Sequence, residues 1–162
     1  MVRQATNLDI PIIEGILLDA VRWLDASDLH LWEVSQVSWE SLLKNFKAED
    51  FYIAFRDGCP AACMSIIDYD PGFWPDISKG EALFLHKIAV VRKYAGQGLL
   101  GEMVDFAKNK AKDADIRTIR LDCHRYRDKL RLAYEKQGFV CVAEERLFGW
   151  CETAFYVCEV AL

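Results

Sequence analysis

The chain has 162 residues, of which 52% are apolar and only four are proline; that suits one domain over residues 1–162 with one core and excludes a disordered polymer. A formal net charge of −5 excludes a nucleic-acid binder that works mainly through phosphate contacts. No apolar run approaches the roughly 20 residues that cross a bilayer, and Met1 to Thr6 carries no apolar signal segment, so a cytoplasmic location without a membrane partner is expected.

In chain order, Val2 to Ala5 reads as a short strand. Thr6 and Asp9 are both suitable helix caps, and Pro11 fits a first turn that begins after Asp9. Ile10, Ile13, Leu17, Ala20, Val21 and Leu24 recur at helical spacing to about Ala26. Ser27 to Val37 has no clear period and reads as a loop containing Trp32. Ser38 caps a second, short helix with Trp39, Leu42, Leu43 and Phe46. Phe51 to Phe55 and Ala61 to Ile67, joined at Asp57-Gly58, form an antiparallel hairpin. Asp68 to Gly80 is a turn-rich loop anchored by Phe73 and Trp74. Leu83 to Val91 is an apolar strand, followed by the Tyr94–Gly98 turn and a helix with Leu99, Leu100, Met103, Val104, Ala107 and Ala111 on one face. Thr118 to Asp122 is the next strand, a helix through Leu130, Ala133 and Tyr134 stops at Gly138, and Phe139–Phe148 and Thr153–Val160 are the last strands. The order implies an α/β (α+β) chain: a single mixed, mostly antiparallel sheet flanked by about four helices.

A strand that feeds a glycine turn opening a helix is suited to phosphate, because the first N–H groups of a helix lack internal partners and its dipole favours an anion. Arg92 and Lys93 add positive charge just upstream. Gly96, Gly98 and Gly101 also spell the dinucleotide fingerprint, with Asp122 about 20 residues on, where a ribose-binding acid would stand. Val91 to Ala95 separate the strand from the first glycine, however, and an antiparallel hairpin precedes it, which excludes that reading. No Gly-Lys-Ser/Thr follows, so a Walker loop is excluded too. The six cysteines form no CxxC pair and four lie in strand-like runs, so reduced structural thiols are expected and no metal.

Two segments together carry a family resemblance. Ala95-Gly96-Gln97-Gly98-Leu99-Leu100 resembles motif A of the GNAT superfamily of acetyl-CoA-dependent N-acetyltransferases. Leu132-Ala133-Tyr134-Glu135-Lys136-Gln137-Gly138-Phe139 resembles the same family's (F/L)YEKxGF segment. The order of strands and helices agrees along essentially the whole chain. The resemblance implies a GNAT fold and acetyl-CoA as acyl-donor cosubstrate. Its pantetheine arm would pair with Ile88, Ala89 and Val90 like an added strand. Its pyrophosphate would meet the N–H groups of Ala95, Gly96, Gln97, Gly98, Leu99 and Leu100, helped by Arg92 or Lys93, and an N–H near Ile88 would face the developing oxyanion.

Transfer from thioester to amine needs one proton removed from an ammonium and one delivered to the leaving thiolate. The resemblance gives the second task to Tyr134, and a phenol is a protonated donor at neutral pH. For the first, His86 on the central strand and Glu81 at its start are candidates, as is a water chain. Cys123 and His124 are strand neighbours that point to opposite faces, which makes a thiol–imidazole dyad unsuited. Asp68, Asp70 and Asp76 near Trp74 could attract a cationic amine, with Trp32 as a further wall. The expected function is N-acetylation of a small primary amine; the alternative is a non-catalytic acyl-CoA-binding regulatory module. Terminal strand edges could support a homodimer.

Overall fold

The computed structural model describes residues 1–29 and 32–161; residues 30 and 31, inside the expected loop, and residue 162 lie outside the described residues. Among the described residues there are seven strands, β1 (Val2–Gln4), β2 (Phe51–Arg56), β3 (Cys59–Ile67), β4 (Leu83–Val90), β5 (Thr118–His124), β6 (Val140–Leu147) and β7 (Cys151–Glu159). The same residues form four α-helices, α1 (Ile10–Ala26), α2 (Trp39–Leu42), α3 (Leu99–Asp113) and α4 (Asp128–Glu135). The strands are hydrogen-bonded in the order β1-β2-β3-β4-β5-β7-β6. β1–β2, β2–β3, β5–β7 and β6–β7 are antiparallel, while β4 runs parallel to β5. The mixed sheet and four helices agree with the expected fold class.

The chain forms two compact units, Met1–Ile66 with Lys87–Met103, and Ile67–His86 with Val104–Leu162. In the first, Ile13, Ile16, Leu17 and Val21 of α1 pack with Val37, Leu42, Phe51, Ile53, Cys63 and Ala89. Phe51 is fully buried, with Phe46 edge-on at 5.7 Å. Asp57 and Gly58 both have positive φ, 49° and 75°, as a two-residue hairpin turn matched to strand twist requires. In the second unit, Trp74, Ala82, Phe84 and Phe155 form a core with Ile67, Phe73, Ile77, Ala143, Leu147 and Val157 against it. The Asp68–Gly80 loop is thereby nailed down by an aromatic anchor: Trp74 meets Phe155 edge-on at 5.0 Å.

Two local expectations need correction. Val34–Val37, expected as loop, is a 3-10 turn locked by a Glu33 N–H bond to Gln36 Oε1 of 2.7 Å; a three-residue period does not register in a search for 3.6-residue spacing. α2 ends at Leu42 rather than reaching Phe46, the chain continuing in turns whose N–H groups bond back to Leu42 O. All six cysteines are free. Burial pushes the Cys63 thiol well above its ordinary pKa. No helix among the described residues is long and apolar enough to cross a membrane.

Asp9 accepts both guanidinium nitrogens of Arg3, at 2.9 and 2.7 Å, and the Thr6 N–H and hydroxyl at 2.9 and 3.1 Å. Those bonds hold its carboxyl well below the usual range, the Arg3 bonds most of all. Because the folded value is depressed, the stabilisation is complete above the unfolded value of about 3.9 and is lost as pH falls through the folded value. Arg3 is 43% exposed, so water screens part of the pair, and Asp9→Asn should cost about 1–2 kcal/mol at pH 7. Urea melts should show that gap closing steadily as pH drops below about 4; a gap constant with pH would remove Asp9 ionisation as its origin.

Candidate functional site

In the first unit, the second half of β4 leads into a 3-10 turn, Arg92–Tyr94. Val91 N–H bonds to Ala61 O at 2.8 Å, and Arg92 N–H to the Asp19 carboxylate of α1 at 2.8 Å, so the turn is tied to strand and helix. The Arg92 guanidinium stacks over Trp23, 4.4 Å from the ring centroid; stacking occupies the face of the fork and leaves its in-plane donors for an anion. Lys93 Nζ lies 5.2 Å from the Tyr94 ring. Gly96 and Gly98 both have φ of 78°, a conformation open to glycine and strained for other residues. A Cβ at either would meet nothing within 4 Å, and Ala95 to Gly98 are exposed. Glu102 N–H bonds back to Gly98 O at 3.1 Å, so the N–H groups preceding it form the open first turn of α3. Ala95 N–H, by contrast, bonds to Arg92 O at 3.1 Å. Ile88 and Val90 are half-buried and Ala89 is in the core, so Ala89 offers a ligand its backbone alone.

In the second unit, the register Phe84↔Arg120 between parallel strands brings His86 and Asp122, each two residues on, to one face. Asp70 reaches the same place from the loop. Its Oδ2 lies 3.1 Å from His86 Nε2, and one donor atom from each of Asp70, His86 and Asp122 lies within 4.8 Å of the others. Arg120 crosses Trp74 on that face, 4.9 Å from the ring centroid, and burial lowers its pKa against the pull of Glu81. Of the three loop carboxylates, Asp70 turns inward. Asp68 pairs with Lys79 at 2.7 Å, and Asp76 is exposed. Glu81 is exposed and accepts Ser78 N–H at 3.1 Å. Trp32 lies in the first unit, beneath Lys87 Nζ at 4.8 Å.

Tyr134 of α4 is 6% exposed. Burial, then the charges at Cys123 and Asp122, push its phenol well above the ordinary value, so it stays in the donor form at neutral pH. α4 is held by Arg131, whose Nε donates to Tyr156 Oη at 2.7 Å while that hydroxyl donates to Glu135 at 3.0 Å. Cys123 is buried and its thiol is pushed up to about 12, by burial first; with β5 alternating in burial, Cys123 and His124 make no dyad.

The model of the Acetyltransferase (GNAT) family matches residues 18–139. The chain belongs to the GNAT family of acetyltransferases. It is similar to the uncharacterized N-acetyltransferase YesJ of Bacillus subtilis, at 26% identity over 81% of this chain and 76% of that protein. A GNAT-family acetyltransferase from Listeria monocytogenes superposes with a TM-score of 0.75 at 25% identity, over 98% of this chain and 94% of that one. The PaiA N-acetyltransferase of Thermoplasma acidophilum, solved in complex with coenzyme A, shares the fold with a TM-score of 0.73 at 15% identity, over 98% of both chains. This GNAT protein is thus an acyl-CoA-dependent acetyltransferase.

The residues present fit a CoA pyrophosphate: an exposed turn with two left-handed glycines, an open first helical turn, and a stacked arginine beside it. Sequence spacing missed Asp19 and Trp23, and it named Asp70, His86 and Asp122 separately without bringing them together, because these contacts join positions far apart in the chain. Gly98→Ala in this GNAT chain should lower unfolding free energy by about 1–2 kcal/mol. Gly15→Ala, in α1 with open space around it, should raise stability by about 0.5–1 kcal/mol. Paired urea melts check this, and equal effects would show that the turn does not require left-handed geometry at Gly98.

Proposed function

We propose that residues 1–162 work as one acetyltransferase domain that moves an acetyl group from acetyl-CoA to the primary amine of a small molecule. The observation that carries the reading is the exposed Gly96–Gly98 turn at the start of α3, in a chain of the GNAT family. When bound, acetyl-CoA supplies an acyl carbon activated as a thioester. The backbone of Ile88, Ala89 and Val90 holds the pantetheine arm by strand-like pairing. The N–H groups of Gly96, Gln97, Gly98, Leu99 and Leu100 hold the pyrophosphate, with Arg92 and Lys93 supplying charge. An N–H near Ile88 faces the developing oxyanion.

Tyr134 delivers the proton that the leaving thiolate needs, and its buried, protonated phenol supports that role. His86 takes the proton of the incoming amine. Its contact with Asp70 favours it over Glu81, which is exposed and already accepts a loop N–H. The inward-turned, Trp74-anchored loop favours a small acceptor over an extended chain.

Calorimetry with acetyl-CoA and CoA, followed by thiol release across an amine panel, tests the reading. Micromolar binding with amine-dependent release is expected. Binding without release from any amine would leave a CoA-binding module, and absence of binding would sink the reading. Tyr134→Phe should lower kcat by about 100-fold with the Kd for CoA nearly unchanged; an unaltered kcat would remove Tyr134 as the acid.

A further inference from the structure

We propose that Asp70, His86 and Asp122 form a binding site for one Zn2+ ion, and that the bound ion silences the enzyme by occupying the imidazole nitrogen to which the transferase reading gives a proton. The binding half stands on the side chains alone; the silencing half rests on that reading.

One imidazole nitrogen with two carboxylate oxygens is a donor set that zinc accepts, leaving a fourth position for water. The donor atoms of the three residues lie within 4.8 Å of one another. Around a tetrahedral zinc with bonds of about 2.1 Å, ligand atoms stand about 3.4 Å apart. Asp70 Oδ2 and His86 Nε2 are already 3.1 Å apart, so the adjustment falls to Asp122. It is about 1.4 Å at most, which a carboxylate covers by turning about its soft terminal torsion.

Asp70 is 9% exposed, and its Oδ2 is fully shielded from solvent with no hydrogen-bond partner. The imidazole nitrogen 3.1 Å away lies off the direction of a hydrogen bond. Two ligands of one ion stand like this, because their lone pairs converge on a third point rather than on each other. A buried carboxylate oxygen without a donor calls for a cation. Two ionised carboxylates carry two negative charges, and a divalent ion cancels both. Arg120, a cation on the same face, is stacked on Trp74 at 4.9 Å and is drawn by the charge of Glu81.

The surroundings complete the site. The other Asp70 oxygen accepts Phe73 N–H at 3.3 Å, an outer-sphere bond of the kind that orients a ligating carboxylate. Phe155, the register partner of Asp122, packs edge-on against Trp74, an apolar shell that limits water around the ion. The His86 side chain keeps 18% exposure, which gives the ion a way in. Mg2+ and Ca2+ require six or more ligands, nearly all oxygen, whereas imidazole suits zinc. With its Nε2 lone pair bonded to the ion, His86 no longer accepts a proton from an ammonium.

The test titrates ZnCl2 calorimetrically into the full chain, reduced and stripped of metal with EDTA. One equivalent bound with micromolar affinity is expected. His86→Ala and Asp122→Asn should each weaken it about 100-fold, the upper end of what loss of an outer-sphere partner costs. Asp76→Asn on the same loop and Cys59→Ser at an exposed thiol should leave it unchanged. Urea melts of the metal-free variants check folding, and the isosteric Asp122→Asn decides if His86→Ala fails to fold. No binding, or equal affinity in all four variants, would overturn the site. Activity is read as label moved from acetyl-CoA to an amine, since free CoA thiol itself takes up zinc. Saturating zinc should abolish it and EDTA restore it; unchanged or faster turnover with the site filled would overturn the silencing. Should no amine be acetylated, the titration decides alone: zinc binding that Asp122→Asn weakens supports the site, while the silencing half falls with the transferase reading.

Discussion

One strand changes character along its length, and the change falls at a single residue. β4 begins as core, with Leu83, Phe84 and Leu85 buried, and ends with Ile88 and Val90 only half-buried. Between them Lys87 has φ of 51°, a left-handed conformation inside a strand that a non-glycine residue adopts only when its surroundings hold it there. Its carbonyl lies 3.8 Å from Cys63 Sγ and its ammonium sits over Trp32. The break ends the regular pleat just after His86, so the residues before and after Lys87 stand on the same strand without obeying the same alternation.

Most of the architecture was legible from pattern. The Asp57-Gly58 hairpin, the β4–turn–α3 passage and the stop at Gly138, with φ of 92°, each follow from local backbone chemistry that the residue types dictate. What escaped were features with no period of their own, such as the 3-10 turn over Val34–Val37, and contacts between distant positions. The stacking of Arg92 on Trp23 joins residues 69 apart in number only because α1 lies beneath the turn. Asp122 shows the limit most clearly: spacing alone suggested a ribose-binding acid, while the register with β4 turns it toward His86 and Asp70.

The Gly96–Gly98 turn and the Asp70–His86–Asp122 group also differ in what specifies them. Gly96 and Gly98 act through backbone geometry, so their types were fixed by conformation and visible in the sequence. Asp70, His86 and Asp122 are side chains brought together by a sheet register and an aromatic-anchored loop. The first is a local backbone conformation; the second depends on Trp74 keeping its place against Phe84 and Phe155.

The free cysteines carry a practical corollary. Only the thiolate form of cysteine reacts readily with electrophiles, and the buried thiols at Cys63 and Cys123 are held far from that form. Cys59, at the exposed start of β3, is open to solvent. A disulfide-exchange dye would therefore colour first at the hairpin, in the first unit and away in sequence from both the glycine turn and the carboxylate group, which makes Cys59 a natural point for attaching a fluorescent reporter.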